Sequence, residues 1–241
     1  MSSSGLNRSR RNFRTGGVLT CSIFLSGLVA CTLVPSCTNK PSVHLNTPAD
    51  SVTTVKDNIA HRAEVDSFFR SDPESPFLRD TSITYRGIRW FPIDTRYRRV
   101  SVLHRNANPD TVIVLGTKGE ERKQLRYGFF TIAVPGDDGQ PVVLKLNVYK
   151  FTPYDAKRYA LYKNALSVWF TDATTGSETY AVGRYVDVGD EDPDRDHEYV
   201  IDLNKAYNPY CAYSHLFSCA IPRKEDHIDI SLRVGEMKYE E

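Results

Sequence analysis

Two stretches in the second half of the chain hold most of the side chains that could do chemistry. The first runs from Trp169 through Glu178, Tyr180, Gly183 and Arg184 to Tyr185; the second runs from Asp202 through Asn204, Tyr207 and Asn208 to Tyr213. An arginine offers a planar fork of donors, and a glycine just before it lets a ligand or another backbone approach closely. Glu178, Asn204, Asn208, Tyr180, Tyr185 and Tyr207 add carboxylate, amide and phenol groups. Brought together, they would line a polar-aromatic pocket for a small anionic or sugar-like ligand. The competing expectation is architectural. Arg184 would pair with Glu178 inside the fold, and the asparagines would satisfy turn backbone around Pro209. Strand alternation sets Arg184 on the same face as Tyr180 and Val182.

Cys211, His215, Cys219 and His227 are spaced C-x3-H-x3-C-x7-H, residue types that can hold zinc or copper. In an oxidising compartment Cys211 and Cys219 would instead close a short disulfide loop, worth about 2–3 kcal/mol. The disulfide is the expectation, and no metal or cofactor is assigned. Residues 190–196 (DEDPDRD) alternate acids as a calcium loop does. Arg195 stands where that loop needs glycine and Ile201 where it needs glutamate, so the acidic run is expected to be a solvated hairpin tip. There is no G-x-S-x-G, H-E-x-x-H, G-x-x-x-x-G-K-[ST] or G-x-G-x-x-G, which argues against the common hydrolases and nucleotide enzymes. An enzyme would need another acid or base, for which Glu178 and Glu225 are the candidates.

In order and spacing these stretches resemble the signatures of an uncharacterised bacterial and archaeal family, domain of unknown function 1684. Residues 176–185 (GSETYAVGRY) are similar to its G-K-E-T-Y-x-x-G-R-Y stretch, and residues 202–213 (DLNKAYNPYCAY) to its D-x-N-x-A-Y-N-P-x-C-A-[YF] stretch. Cys219 answers to a second cysteine, the run from Pro222 to Gly235-Glu236 to a P-P-x-E-N…G-E ending, and residues 61–69 (HRAEVDSFF) to the opening motif. The chain departs at Ser177, Ala220, Arg223 and Asp226-His227. The resemblance spans about Ala60 to Gly235 and implies no activity, because the family has none assigned. Its pattern carries both cysteines but neither histidine of the possible metal set.

The elements that must position these groups are mostly strands. Val142, Leu144, Leu146 and Val148 alternate with their neighbours, as do Ile228, Ile230, Leu232 and Val234. Comparable patterns fit residues 83–91, 97–104, 111–115, 125–134, 166–171, 179–188 and 198–203. Turn chemistry separates them at residues 106–109, 116–119 and 135–141. Ahead of them, Ile59, Ala63, Val65, Phe68 and Phe69 mark one amphipathic helix that Pro73 stops. Residues 154–164 suit a second, short helix. The expected fold is mainly β, an antiparallel β-sandwich or barrel-like domain with one N-terminal helix, over residues 57–241.

Residues 1–30 form the expected address. Arg8, Arg10, Arg11 and Arg14 precede a short apolar run, and Leu28-Val29-Ala30-Cys31 has the form of a bacterial lipobox. The run is too short to span a bilayer. Cleavage before Cys31 would leave a lipidated cysteine, with Cys37 as the second candidate, and residues 31–56 would serve as a flexible tether. The expected location is the bacterial cell envelope, with the membrane as partner through the lipid. The whole chain has 31 Lys+Arg, 30 Asp+Glu and a net charge of +1. Four basic and no acidic residues leave with residues 1–30, so the mature chain sits at −3. That balance argues against nucleic acid as a partner. The expected function is that of a binding or accessory module; the rivals are an enzyme of unassigned chemistry and a structural or assembly lipoprotein.

Overall fold

The computed structural model describes residues 48–240. The signal expected in residues 1–30, the lipidation candidates Cys31 and Cys37, and the tether up to residue 47 lie outside the described residues. Helix α1 spans Pro48–Ser71, with Pro48 in its first turn beside Asp50 and Arg70 in its last. It therefore begins inside the stretch expected to be a tether. Its inward stripe, Thr54, Asn58 and Phe69, is partly polar, whereas Ile59 on the expected apolar face is 58% exposed. Asn58 sits inside because its side-chain amide donates to Asp202 Oδ2 at 2.8 Å. Two short helices follow, α2 (Pro76–Arg79) and α3 (Ala156–Tyr162).

The body is mainly β. Strands β1 (Arg98–Val102), β2 (His104–Leu115), β3 (Glu121–Pro135), β4 (Pro141–Phe151), β5 (Ala165–Asp172), β6 (Arg184–Asp190), β7 (Glu198–Asp202) and β8 (His227–Ile228) form two sheets. The larger has the order β2-β3-β4-β5-β6, all antiparallel, with β8 added parallel to β5; β1 and β7 pair antiparallel as a second, two-stranded sheet. No barrel closes among the described residues. The turns at residues 116–119 and 135–141 join β2 to β3 and β3 to β4, with Pro135 opposite Pro141. Residues 106–109, expected as a turn, lie inside β2 instead. There the register jumps between Arg105 and Asp110, a bulge on an edge strand that can carry Pro109 without losing a ladder bond. Residues 83–91 form no strand and contribute a single bridge, Trp90 to Glu236.

The main core lies where the larger sheet faces β1 and β7. Phe130, Ile132, Leu144, Leu146, Val148, Val168, Phe170 and Val186 meet Tyr199, Ile201 and Leu203 there. A smaller cluster on the opposite face of the large sheet holds Val112, Val114, Tyr149, Trp169 and Ala220. The C-terminal segment keeps the expected alternation of burial, with Ile228, Leu232 and Val234 inside and Asp229 and Arg233 outside. Only His227–Ile228 is laddered, because a side chain rather than a neighbouring strand takes its later carbonyls.

Candidate functional site

That side chain is Arg184. Only 1% exposed, it reaches Asp172 Oδ2 at 2.7 Å and donates to the carbonyls of Leu232 (2.8 Å), Val234 (2.5 Å) and Glu236 (3.2 Å). Its guanidinium lies over the Phe170 ring. Burial pushes its pKa down, against the pull of Asp172. Gly183, at φ 114°, feeds the arginine inward, and a Cβ there would come within 2.6 Å of the Phe170 carbonyl. The close approach expected of this glycine is to backbone. Arg184 thus binds the fold's own carbonyls, and its acid is Asp172 rather than Glu178. Glu178 forms a surface pair with Arg233 at 2.8 Å, and Glu225 pairs with Arg223 at 2.6 Å. Asn204 is fully buried and spent on Asp94 backbone and on Asp202. Tyr180 donates to the Cys211 carbonyl at 3.1 Å.

The remaining candidates, Tyr185, Tyr207 and Asn208, line a cleft of about 750 Å³ on the other side of the large sheet. Strand alternation separates the two groups. Arg184 and Val186 turn toward the main core, while Tyr185 and Asp187 share the outer face with their β5 partners Trp169 and Ser167. Trp169 is stacked on Tyr149 at 4.8 Å with planes 3° apart. Paired backbone bonds between Tyr185 and Tyr207 (2.9 and 3.0 Å) bring the second signature stretch across the β6 edge. The Tyr207 hydroxyl then donates to Asp187 Oδ1 at 3.0 Å. From the far side, α1 contributes His61, Glu64 and Phe68, the last stacked against Tyr210.

Four lining groups are not among the site candidates of the sequence: Gln124 and Asp187, and His61 and Glu236, which stand in the opening and closing motifs. Asp187 was within reach, two residues beyond Tyr185 on the same strand face. Glu236 is 1% exposed and accepts from the Asn208 backbone N–H (2.8 Å) and from the Tyr213 hydroxyl. Burial pushes its pKa up to about 7 despite those bonds and the nearby Arg184. Asp187 is open to the cleft, yet the surrounding walls withhold enough water to raise its pKa, a rise that the Tyr207 bond opposes. Burial, with help from Lys205, lowers the pKa of His61. Among the described residues, three buried polar atoms of the lining residues have no hydrogen-bond partner: His61 Nε2, Gln124 Oε1 and Asn208 Oδ1.

Cys219 also borders the cleft, and Cys211 lies beside it. Both are free thiols here, not the disulfide expected. Cys219 Sγ accepts the Cys211 backbone N–H at 3.2 Å, and Cys211 Sγ receives the Tyr180 hydroxyl at 3.7 Å. Hydrogen bonding from Cys219, Tyr180 and Thr117 lowers the Cys211 pKa to about 7 against the opposing effect of burial. His227 meets Thr171 at 2.9 Å, and no group of three or more metal-ligating side chains is found among the described residues.

No curated protein matches the chain. Among solved structures it is similar to the solution NMR structure of an uncharacterized protein from gene locus rrnAC0354 of Haloarcula marismortui, at 26% identity and a TM-score of 0.55. That similarity covers 79% of this chain and 97% of the archaeal one. Residues 83–237 match the model described as "Protein of unknown function (DUF1684)", a span that includes β1 to β8 and every signature stretch except the one on α1. The chain belongs to the DUF1684 family.

Proposed function

We propose that this protein is a ligand-binding module held at the bacterial cell envelope by a lipid on Cys31. The observation that carries the binding function is the cleft itself, about 750 Å³, with Trp169, Tyr185 and Tyr207 in its wall and the exposed Asp187 carboxylate beside them. A concave site walled by aromatic side chains with a few polar groups among them is the usual form of a small-molecule site. The stretches that carry the family signatures support the same conclusion: His61 and Phe68 of α1, Tyr185, residues 207–210 and Glu236 all line this cleft. Glu178 and Glu225, the candidate acids of an enzyme, are ion-paired and do not line it. The anchor rests on the lipobox and the basic, then apolar, run before it.

A small-molecule screen followed by two-dimensional NMR tests the binding function. Ligand-induced shifts should cluster on the Trp169 indole and on the amides of Tyr185, Asp187, Tyr207 and Asn208; a library that moves none of them refutes it. For the anchor, Cys31→Ser should release the protein from membranes on fractionation and Cys37→Ser should not. Membrane retention of Cys31→Ser would end that assignment.

A further inference from the structure

The charges on the cleft wall do not balance, and the imbalance has a sign. Two arginines line the cleft, and both are already engaged: Arg122 with Glu120 and the Ser218 carbonyl, Arg158 with Asp155 at 2.7 Å; the third basic group, His61, is held toward its neutral form by burial. Arg184, from which an anionic ligand was expected, is on the other side of the sheet. Asp187 is open to the cleft and has no cationic partner among the described residues; its carboxylate receives one hydrogen bond, from Tyr207. Glu64, across from it on α1, has no ion pair among the described residues either.

Beside Asp187 the aromatic rings are contiguous. Tyr185 lies 5.7 Å from Trp169 and 5.9 Å from Tyr207, centroid to centroid. Ring faces carry partial negative charge and attract ammonium groups, the more strongly where water is thinned out. The open carboxylate and the ring faces therefore favour the same sign of ligand. We propose that the cleft takes an organic cation, a ligand carrying an alkylammonium group, seated against Asp187 and the Trp169–Tyr185–Tyr207 wall. This rests on the cleft being a ligand site and names the class of ligand. The raised pKa of Asp187 accords with it, since the walls withhold water from the carboxylate and no internal cation takes its place.

The test is isothermal titration of the purified full chain with choline, with its uncharged isostere 3,3-dimethylbutan-1-ol, with glucose and with inorganic phosphate. Choline should bind at least tenfold more tightly than the isostere, and Asp187→Asn should weaken choline at least fivefold while the melting temperature holds. The isostere comparison uses the parent chain, so it decides the matter even if the variant folds poorly. Equal binding of choline and isostere, unchanged choline affinity in a folded Asp187→Asn, or binding of glucose or phosphate in place of choline would overturn the cation and leave the cleft as a site. Binding of none of the four probes would overturn the cation; a library that shifts no cleft resonance would remove the site as well.

Discussion

Replacing Arg184 with alanine should cost this protein a large part of its stability. The substitution strands the Asp172 carboxylate, whose side chain is 1% exposed, and removes the donors that serve the carbonyls of Leu232, Val234 and Glu236. Breaking a buried ion pair costs about 3–5 kcal/mol, because the surviving charge stays in a medium that solvates it poorly. Each carbonyl left without a donor adds a further penalty wherever water cannot reach it. Thr174, which donates to Asp172 from both its backbone N–H and its hydroxyl, remains and softens the loss. A net loss of about 4 kcal/mol follows, or about 8–16 °C in melting temperature for a domain of this size. Arg184→Lys should lose about half as much, since a single ammonium cannot span four acceptors. Urea unfolding followed by Trp90 and Trp169 fluorescence, together with calorimetry, measures both. An Arg184→Ala variant within 1 kcal/mol of the parent would refute the account. So would an Arg184→Lys variant that keeps its stability and loses cleft ligands.

Glu236 makes stability depend on pH. Its pKa is about 7 in the fold against an ordinary 4.5, so the folded state holds the proton more tightly. The penalty is absent below the unfolded value, grows between pH 4.5 and 7, and is complete above, at about 3 kcal/mol. Glu236→Gln should therefore flatten the melting profile between pH 5 and 8 relative to the parent, and parallel profiles would contradict the assignment. In the reduced protein, Cys211 should react with iodoacetamide with a midpoint near pH 7, and Tyr180→Phe should move that midpoint upward. Equal labelling of Cys211 and Cys219 in the folded chain would show that the hydrogen bonds to Cys211 have no such effect.

Regular sheet elements were the most legible in the sequence. The alternation from Val142 to Val148 gives β4 because β3 takes its backbone bonds along the whole run, with β5 joining at Tyr149. The same alternation from Ile228 to Val234 gives a ribbon with the right faces and almost no ladder, since its carbonyls turn to Arg184. Side-chain periodicity reports which face is buried and is silent about what the backbone bonds to. Helix α1 begins earlier than hydrophobicity suggests because Thr54 and Asn58 are buried through hydrogen bonds, which an apolar count does not register. In the cleft, Tyr185, Tyr207 and Asn208 were found by residue type. For Arg184 and Asn204 the sequence leaves pocket and architecture both open, because a buried polar group that serves the backbone has the same composition as one that serves a ligand; the structure has the architectural role, with Asp172 in place of Glu178. Asp187 lacks any motif of its own, and only its parity with Tyr185 along β6 marks it.

The Arg184 contacts also define a loop. They fasten residue 184 to carbonyls 48 to 52 positions later, as a covalent staple would, with everything from Tyr185 to Ser231 inside the ring so closed. Tyr185, Asp187, Tyr207, Asn208, Tyr210 and Cys219 all belong to that ring. When the guanidinium lets go, one wall of the cleft loses its fixed ends. Occupancy and ring closure are thus linked by mass action, and a bound molecule must slow the opening that exposes residues 185–231 to a protease. Resistance to limited digestion becomes a way to look for ligands without knowing in advance what they are.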